Sequence, residues 1–461
     1  AHFVIQTNLD VKEARATAAR FERLRAALLR GISRMPVDPP GRVEVVVSRR
    51  DAFEALIDAG RVQVAGWFEA DPFGSRLVVE GSDRASHVAA HELAHYLLAY
   101  NFARLPLWLN EGLAQYFSTI ELDVKKDGAV VASVGRPPDA LKLLPRRHML
   151  AARQARVPVI ARAKTFFAWG TEPITYDLER ADLYATGWAT THFLTNREPA
   201  RFSQLLARLA RAEPPATAWK TVFPEFDPGT EPGLEAFEKA LEDYVEGTSY
   251  TYMRFEVRPD TTIASERELG DSEVHVLLAT LLERAPRDRS DDVSRRVAAE
   301  VSESLRVHPD NAGALWIAKA KDRARPAIAA TPEDWRGWML LAAALEGDDA
   351  AWDERRAAYE KASQLAPDNA GVLNGHAWAL LERGESVPAL PVAVRAARAA
   401  PWSAAVLDTL GAVLADLGRA CEAVPVQQRA VELSTEGAAG SAEEIRKRLA
   451  DFEGQCRSTK M

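Results

Sequence analysis

The chain has 461 residues, 47% of them hydrophobic and 27% charged, with a formal net charge of −8. That balance describes folded globular material, long enough for about three domains, and excludes a disordered chain. No apolar run nears the roughly twenty residues that span a bilayer, so no transmembrane segment is expected, and the negative charge gives no reason to expect nucleic acid as a partner.

Residues 1–85 alternate strand and helix signals. A strand is predicted at His2–Gln6, a helix with arginines on its outer face at Val11–Leu29, a strand at Val43–Ser48 and a short helix at Asp51–Asp58. Gly66–Ala70 and Ser75–Glu80, joined by Asp71-Pro72-Phe73-Gly74, read as a β-hairpin. Its second strand is the expected sheet edge for an extended peptide, although a plain structural hairpin has the same pattern. Together these elements form an α+β lobe.

A helix follows, with Ser82 or Asp83 as its cap and Val88, Leu93, Leu97 and Leu98 as its apolar face. It carries His91-Glu92-Leu93-Ala94-His95. Residues four apart stack on one helix face with a rise of about 6 Å, so His91 and His95 can point at one ion. Glu92 lies about 100° further round, outside a ligand shell yet within reach of a water on the ion. Pro106 ends the connecting segment, and a second helix starts at Leu107 with Leu109, Leu113, Tyr116 and Phe117 as apolar positions. Glu111, between Leu109 and Leu113, would be costly to bury without a cation. Two His, one Glu and an open position make a catalytic zinc set. The competing reading is a helix that bears two exposed histidines by accident.

These residues resemble the gluzincin metallopeptidases, in which a segment like Trp108-Leu109-Asn110-Glu111-Gly112-Leu113-Ala114 carries the third ligand. The alanyl-aminopeptidase type is related. Here, however, the gap from His95 to Glu111 is a few residues shorter and no Gly-x-Met-Glu-Asn segment is present, so the bacterial peptidase MA-like group is the better match. Leu183–Leu194 is similar to the Tyr-x-x-Gly helix of the same clan, which implies that the Tyr184 hydroxyl steadies an oxyanion. A half-buried tyrosine satisfied locally is the other reading, and His192, two turns on, reads as packing.

The resemblance implies an α+β thermolysin-like zinc metallopeptidase domain, with an N-terminal lobe over 1–85 and a mainly helical catalytic lobe over 86–262. It also implies one Zn2+ held by His91, His95 and Glu111 that acidifies a water and polarises a carbonyl. Glu92 would take a proton from that water and return it to the leaving amine, with Tyr184 donating to the oxyanion.

Further helices are predicted at Arg201–Leu209 and Leu234–Val245, a strand at Tyr250–Val257, and a domain exit at Arg258–Thr262. Lys142, Arg146, Arg147, Arg153, Arg156, Arg162 and Lys164 form a local basic cluster, read as a solvated helical face or as one side of a cleft that favours acidic substrates. From about residue 270 the sequence becomes Ala/Leu/Glu/Arg-rich. Pro367 and Pro401 lie 34 residues apart, the tetratricopeptide period. Leu373, Ala377, Leu380, Gly384, Ala389, Ala393 and Ala396 fall at that repeat's small and apolar positions, as do Leu407, Gly411, Leu414, Gly418, Ala423 and Ala430 in the next unit. An all-α tetratricopeptide-repeat solenoid is therefore expected over 270–456, clearest over 336–434, with Ala442–Phe452 as a capping helix.

Cys421 starts the second helix of the last repeat and Cys456 follows the cap, so a disulfide is geometrically reasonable; two unrelated thiols are the alternative. A disulfide would favour an extracytoplasmic setting, periplasmic or secreted. The chain starts at Ala1 without a signal-peptide pattern and reads as a processed mature form or a trimmed one.

Two functions compete. One is a zinc-dependent peptidase whose repeats recruit a protein substrate or partner and can be deleted without harm to small-peptide cleavage. The other is a non-catalytic or structural-zinc protein whose repeats act as an interaction scaffold. Glu92, which a merely structural site does not need, favours the first. Hydrolysis of an amide outside a protein backbone is a third.

Overall fold

A computed structural model describes residues 1–32, 37–57, 65–81, 85–102, 105–136, 161–170, 177–246, 250–284, 291–434 and 439–459. The proposed caps Ser82 and Asp83 and most of the basic cluster lie outside the described residues; of that cluster, the Arg162 side chain pairs with Glu238 at 3.1 Å.

Strand β1 (Phe3–Thr7), helix α1 (Val11–Ile32), strand β2 (Val43–Ser48), helix α2 (Arg50–Ile57) and the hairpin β3 (Gly66–Glu69) and β4 (Arg76–Glu80) build the first lobe. The sheet order is β1-β2-β4-β3, with β1, β2 and β4 parallel and β3 antiparallel. This corrects one expectation. The exposed edge of the hairpin is its first strand, β3, because β4 is enclosed between β2 and β3.

Val43, Val45, Val46 and Val47 of β2 are all buried, as befits a central strand covered on both faces. One face packs against α1 and the next helix, α3 (Ala85–Asn101), in a core that continues through the downstream helices. Those are α4 (Leu107–Ser118), α5 (Ala163–Phe167), α6 (Asp177–Arg197), α7 (Pro199–Ala210), α8 (Pro215–Val222) and α9 (Glu231–Glu246). A second sheet interrupts the helical run: β5 (Glu121–Val124) and β6 (Val130–Val134) form a hairpin, and β7 (Met253–Val257) pairs antiparallel with β6. The reading of 85–250 as mainly helical missed this hairpin, although Asp127-Gly128, with Gly128 at φ +83°, is a hairpin-turn signal.

From Asp271 the secondary structure among the described residues is all helical: α10 (Asp271–Arg284), α11 (Asp291–Val307), α12 (Ala312–Ile317), α13 (Ala324–Ala330), α14 (Trp335–Ala344), α15 (Trp352–Leu365), α16 (Ala370–Glu382), α17 (Ser386–Ala399), α18 (Ala404–Asp416), α19 (Ala420–Leu433) and α20 (Ala439–Thr459). The C-terminal half is a tetratricopeptide-like helical solenoid. Asn369 and Ser403, one period apart, cap α16 and α18 by accepting from Val372 N at 3.0 Å and Val406 N at 3.4 Å. Ala377, Ala389, Ala393 and Ala396 are buried where paired helices meet. Gly384 and Gly418 serve differently from expectation: no atom lies within 4 Å of a Cβ built on either, and their φ values of +72° and +73° end a helix in the left-handed conformation. Cys421 and Cys456 form a disulfide that ties α19 to the capping helix.

The solenoid does not stand apart. Leu281 and Leu282 of α10 pack on Val46 and Val78, together with Phe53 of α2, and so cover the other face of the first sheet. Trp402 reaches α3, with its ring 4.9 Å from Tyr100 and 6.3 Å from Tyr96. Tyr100 Oη also donates to Ala399 O at 2.7 Å. Removing the repeats would therefore strip one face of the sheet and one flank of α3.

Candidate metal centre

Helices α3 and α4 carry the three candidate ligands, and their register follows from which faces are buried. Leu93, Ala94, Leu97 and Leu98 of α3 are inside, which leaves His91, Glu92 and His95 half-buried on the adjoining face. Leu109, Leu113, Tyr116 and Phe117 fix α4 in the same way and turn Glu111 toward α3. Pro106 precedes α4 in extended conformation and its carbonyl accepts from Leu109 N and Asn110 N, so the helix starts sharply.

The outcome is convergence. His91 Nε2 and His95 Nε2 are 3.1 Å apart, and each lies 3.4 Å from Glu111 Oε2. Zinc in tetrahedral coordination, with bonds near 2.0–2.1 Å, separates its ligand atoms by roughly 3.3 Å. A point about 2 Å from all three atoms therefore exists just off their plane. Glu111 Oε2 is buried with no hydrogen-bond partner among the described residues, the state expected of an atom that serves an ion. These three residues form the one His/Cys/Asp/Glu cluster among the described residues with spacing suited to a metal. The donor set fits zinc.

Glu92 stands beside the cluster and outside it. Its Oε2 accepts from the backbone N–H of Phe68 on β3 at 3.1 Å. No sequence signal points to this partner, because a backbone donor has no residue signature. Burial raises the Glu92 carboxyl above the ordinary range, and the negative charge of Glu111 adds to this, against the opposing pull of the two imidazoles and the Phe68 amide. Glu111 behaves oppositely: burial pushes upward, but the two imidazoles beside it bring it down to about 2. His95 is raised; burial works against its charged form, yet Glu111, Glu92 and the Asn110 side chain outweigh it.

Tyr184 on α6 is brought to the cluster, with its ring 6.3 Å from that of His91 and held edge-on by Trp169 at 5.1 Å. Two glycines make this approach possible. A Cβ on Gly112 would lie 2.7 Å from Gly187 O, and one on Gly187 would lie 3.1 Å from Gly112 Cα, so α4 and α6 cross backbone to backbone. Gly112 adjoins Glu111, and Gly187 is one turn from Tyr184. Both glycines sit within the motifs read from sequence, but their packing role needed the three-dimensional crossing. His192 is fully buried among Tyr116, Trp188, Tyr244 and Tyr250 and is not part of the cluster. It is a packing residue, as expected.

Residues 84–216, which contain all five candidate site residues, match a family described as a protein of unknown function, DUF1570. The match covers less than a third of the chain. No curated protein matches the sequence. Among solved structures the chain is similar to a thermophilic TPR protein of Thermus thermophilus, at 17% identity and TM-score 0.30, over 39% of this chain and 98% of that one. It is also similar to yeast Tom70, at 11% identity and TM-score 0.32, over 69% and 74% of the two chains. The repeat character itself is carried by this chain's own 34-residue helix pairs. No helix among the described residues is long and apolar enough to cross a membrane.

Proposed function

We propose that this protein is a zinc-dependent hydrolase of peptide bonds on the gluzincin, peptidase MA-like plan, with a thermolysin-like catalytic half. His91, His95 and Glu111 hold one Zn2+, Glu92 is the general base, and Tyr184 donates to the developing oxyanion. The observation that carries this reading is the tetrahedral spacing of the three ligand atoms, with a carboxylate poised beside them and not among them. Zinc bound there supplies an acidified water and a Lewis acid for the scissile carbonyl.

The remaining chemistry belongs to the chain. Glu92 is placed to hold and release a proton, and the Phe68 N–H fixes one oxygen so that the other is free to exchange. Edge strand β3 offers backbone pairing to an extended peptide beside that carboxylate. The Cys421–Cys456 disulfide supports an extracytoplasmic setting, periplasmic or secreted.

A second reading is favoured by the solenoid, which fits a protein-interaction scaffold with a non-catalytic or structural-zinc lobe. Digestion of a mixed peptide library with and without chelator, repeated with Glu92→Gln, separates the two. The enzyme reading expects chelator-sensitive cleavage that falls about 10²–10⁴-fold in the variant while zinc stays bound. Zinc-loaded protein that cleaves nothing leaves the scaffold reading, and equal cleavage by the variant removes Glu92 from the role of base.

A further inference from the structure

The hairpin between β3 and β4 does not end in solvent. Its tip, Asp71-Pro72-Phe73-Gly74, is seated on the solenoid. The Phe73 ring stacks on Trp335 with centroids 5.9 Å apart and planes 6° from parallel, and meets Trp316 edge-on at 5.4 Å. Backbone recognition accompanies the aromatic contact. Gly371 N donates to Pro72 O at 2.7 Å, and Asn369 Nδ2 donates to Phe73 O at 2.7 Å. Asn369 thus works twice, since its side-chain oxygen caps α16. Arg284, at the end of α10, pairs with Glu69 at 2.6 Å and with Asp71.

Gly371 is shaped to the occupant: a Cβ there would lie 2.5–2.6 Å from three atoms of the Phe73 ring. An aromatic slot, two backbone-reading donors and a cation for the leading acid make a complete recognition set for one turn.

We propose that the solenoid surface formed by Trp316, Trp335, Asn369, Gly371 and Arg284 is a receptor for an acid-Pro-Phe-Gly turn, filled in this chain by its own hairpin. The receptor clamps β3, the strand whose Phe68 N–H holds Glu92. It is a self-directed interface and not a vacant recruiting groove. This holds whether or not the metal cluster is catalytic. The cleft of about 1720 Å³ between sheet and solenoid leaves room for a competing peptide to reach the slot once the turn is removed.

Two measurements on the full chain test it. First, Gly371→Ala is expected to lower the thermal midpoint of the wild-type protein, because the methyl collides with the Phe73 ring. In a Phe73→Ala background the same change is expected to be neutral or to raise the midpoint, since alanine is the better helix residue. A shift of the same sign and size in both backgrounds overturns the docking. Second, a fluorescent cyclic peptide with the sequence of residues 69–76 is expected to bind a variant whose turn 71–74 is replaced by Asn-Gly at least tenfold more tightly than wild type, and to lose that binding when Trp335→Ala is added. Equal binding to wild type shows a groove that is open and not self-filled. Absence of binding to the folded turn-replaced variant, its fold checked by circular dichroism, shows that the slot is not a receptor. Either result overturns the proposal.

Discussion

Replacing Gly112 by alanine places a methyl group where α4 and α6 touch, one residue from Glu111. The new Cβ would lie 2.7 Å from Gly187 O and 2.8 Å from Thr191 Oγ1. The threonine can rotate, but a helix carbonyl cannot, so the helices must part by roughly 0.7 Å to restore an ordinary carbon–oxygen contact near 3.4 Å. Overpacking of this kind costs about 1–3 kcal/mol, offset by about 1 kcal/mol from the better helix propensity of alanine, for a net loss of about 0–2 kcal/mol. The consequence for the ion is sharper. Metal sites tolerate ligand displacements of about 0.2 Å, and a shift several times larger next to Glu111 should weaken zinc about 10–100-fold. Competition with a chromophoric chelator measures this directly, with Gly454→Ala as control because a Cβ there meets nothing within 4 Å. Wild-type zinc affinity in Gly112→Ala would refute the claim that the glycine crossing positions the third ligand.

Two other outcomes are expected. His192 is fully buried, its Nδ1 2.5 Å from the Tyr244 hydroxyl, and burial lowers it to about 4. The unfolded chain therefore binds a proton near pH 6.5 that the folded chain refuses, so stability is complete above that pH and falls by up to about 3 kcal/mol as pH drops to about 4. Denaturant titrations across this window should show the slope in wild type and a reduced one in His192→Gln; equal slopes would exclude His192 as the source. Separately, the Cys421–Cys456 disulfide closes a 35-residue separation, for which chain entropy gives about 3–4 kcal/mol. Cys421→Ser should accordingly expose α20 to hydrogen exchange first, and unchanged protection there would contradict the role of the bridge as anchor of the cap.

The local code was legible wherever one face decided the outcome. His91, His95 and Glu111 converge because helical periodicity places each beside a buried stripe, and that periodicity is written in Leu93, Leu97, Leu109 and Leu113. The repeats were legible because a fixed period of prolines and small residues needs no tertiary knowledge. What stayed hidden depends on partners distant in sequence. Whether β3 or β4 forms the edge is decided by the pairing of β4 with β2, which alternation along the hairpin does not encode. The short β5 strand exposes most of its residues, so its burial pattern gave little to read. The docking of Phe73 on Trp316 and Trp335 joins residues more than 240 positions apart, and Phe73 alone looked like one apolar residue in a turn.

Every proposed step requires one divalent ion between α3 and α4. X-ray absorption at the zinc edge on the zinc-loaded full chain, combined with metal analysis, reads out that ion and its ligands. One zinc per chain is predicted, with two imidazole nitrogens and one carboxylate oxygen at about 2.0–2.2 Å, and its loss in His95→Ala. Failure to retain zinc, or a first shell without imidazole, would contradict the account.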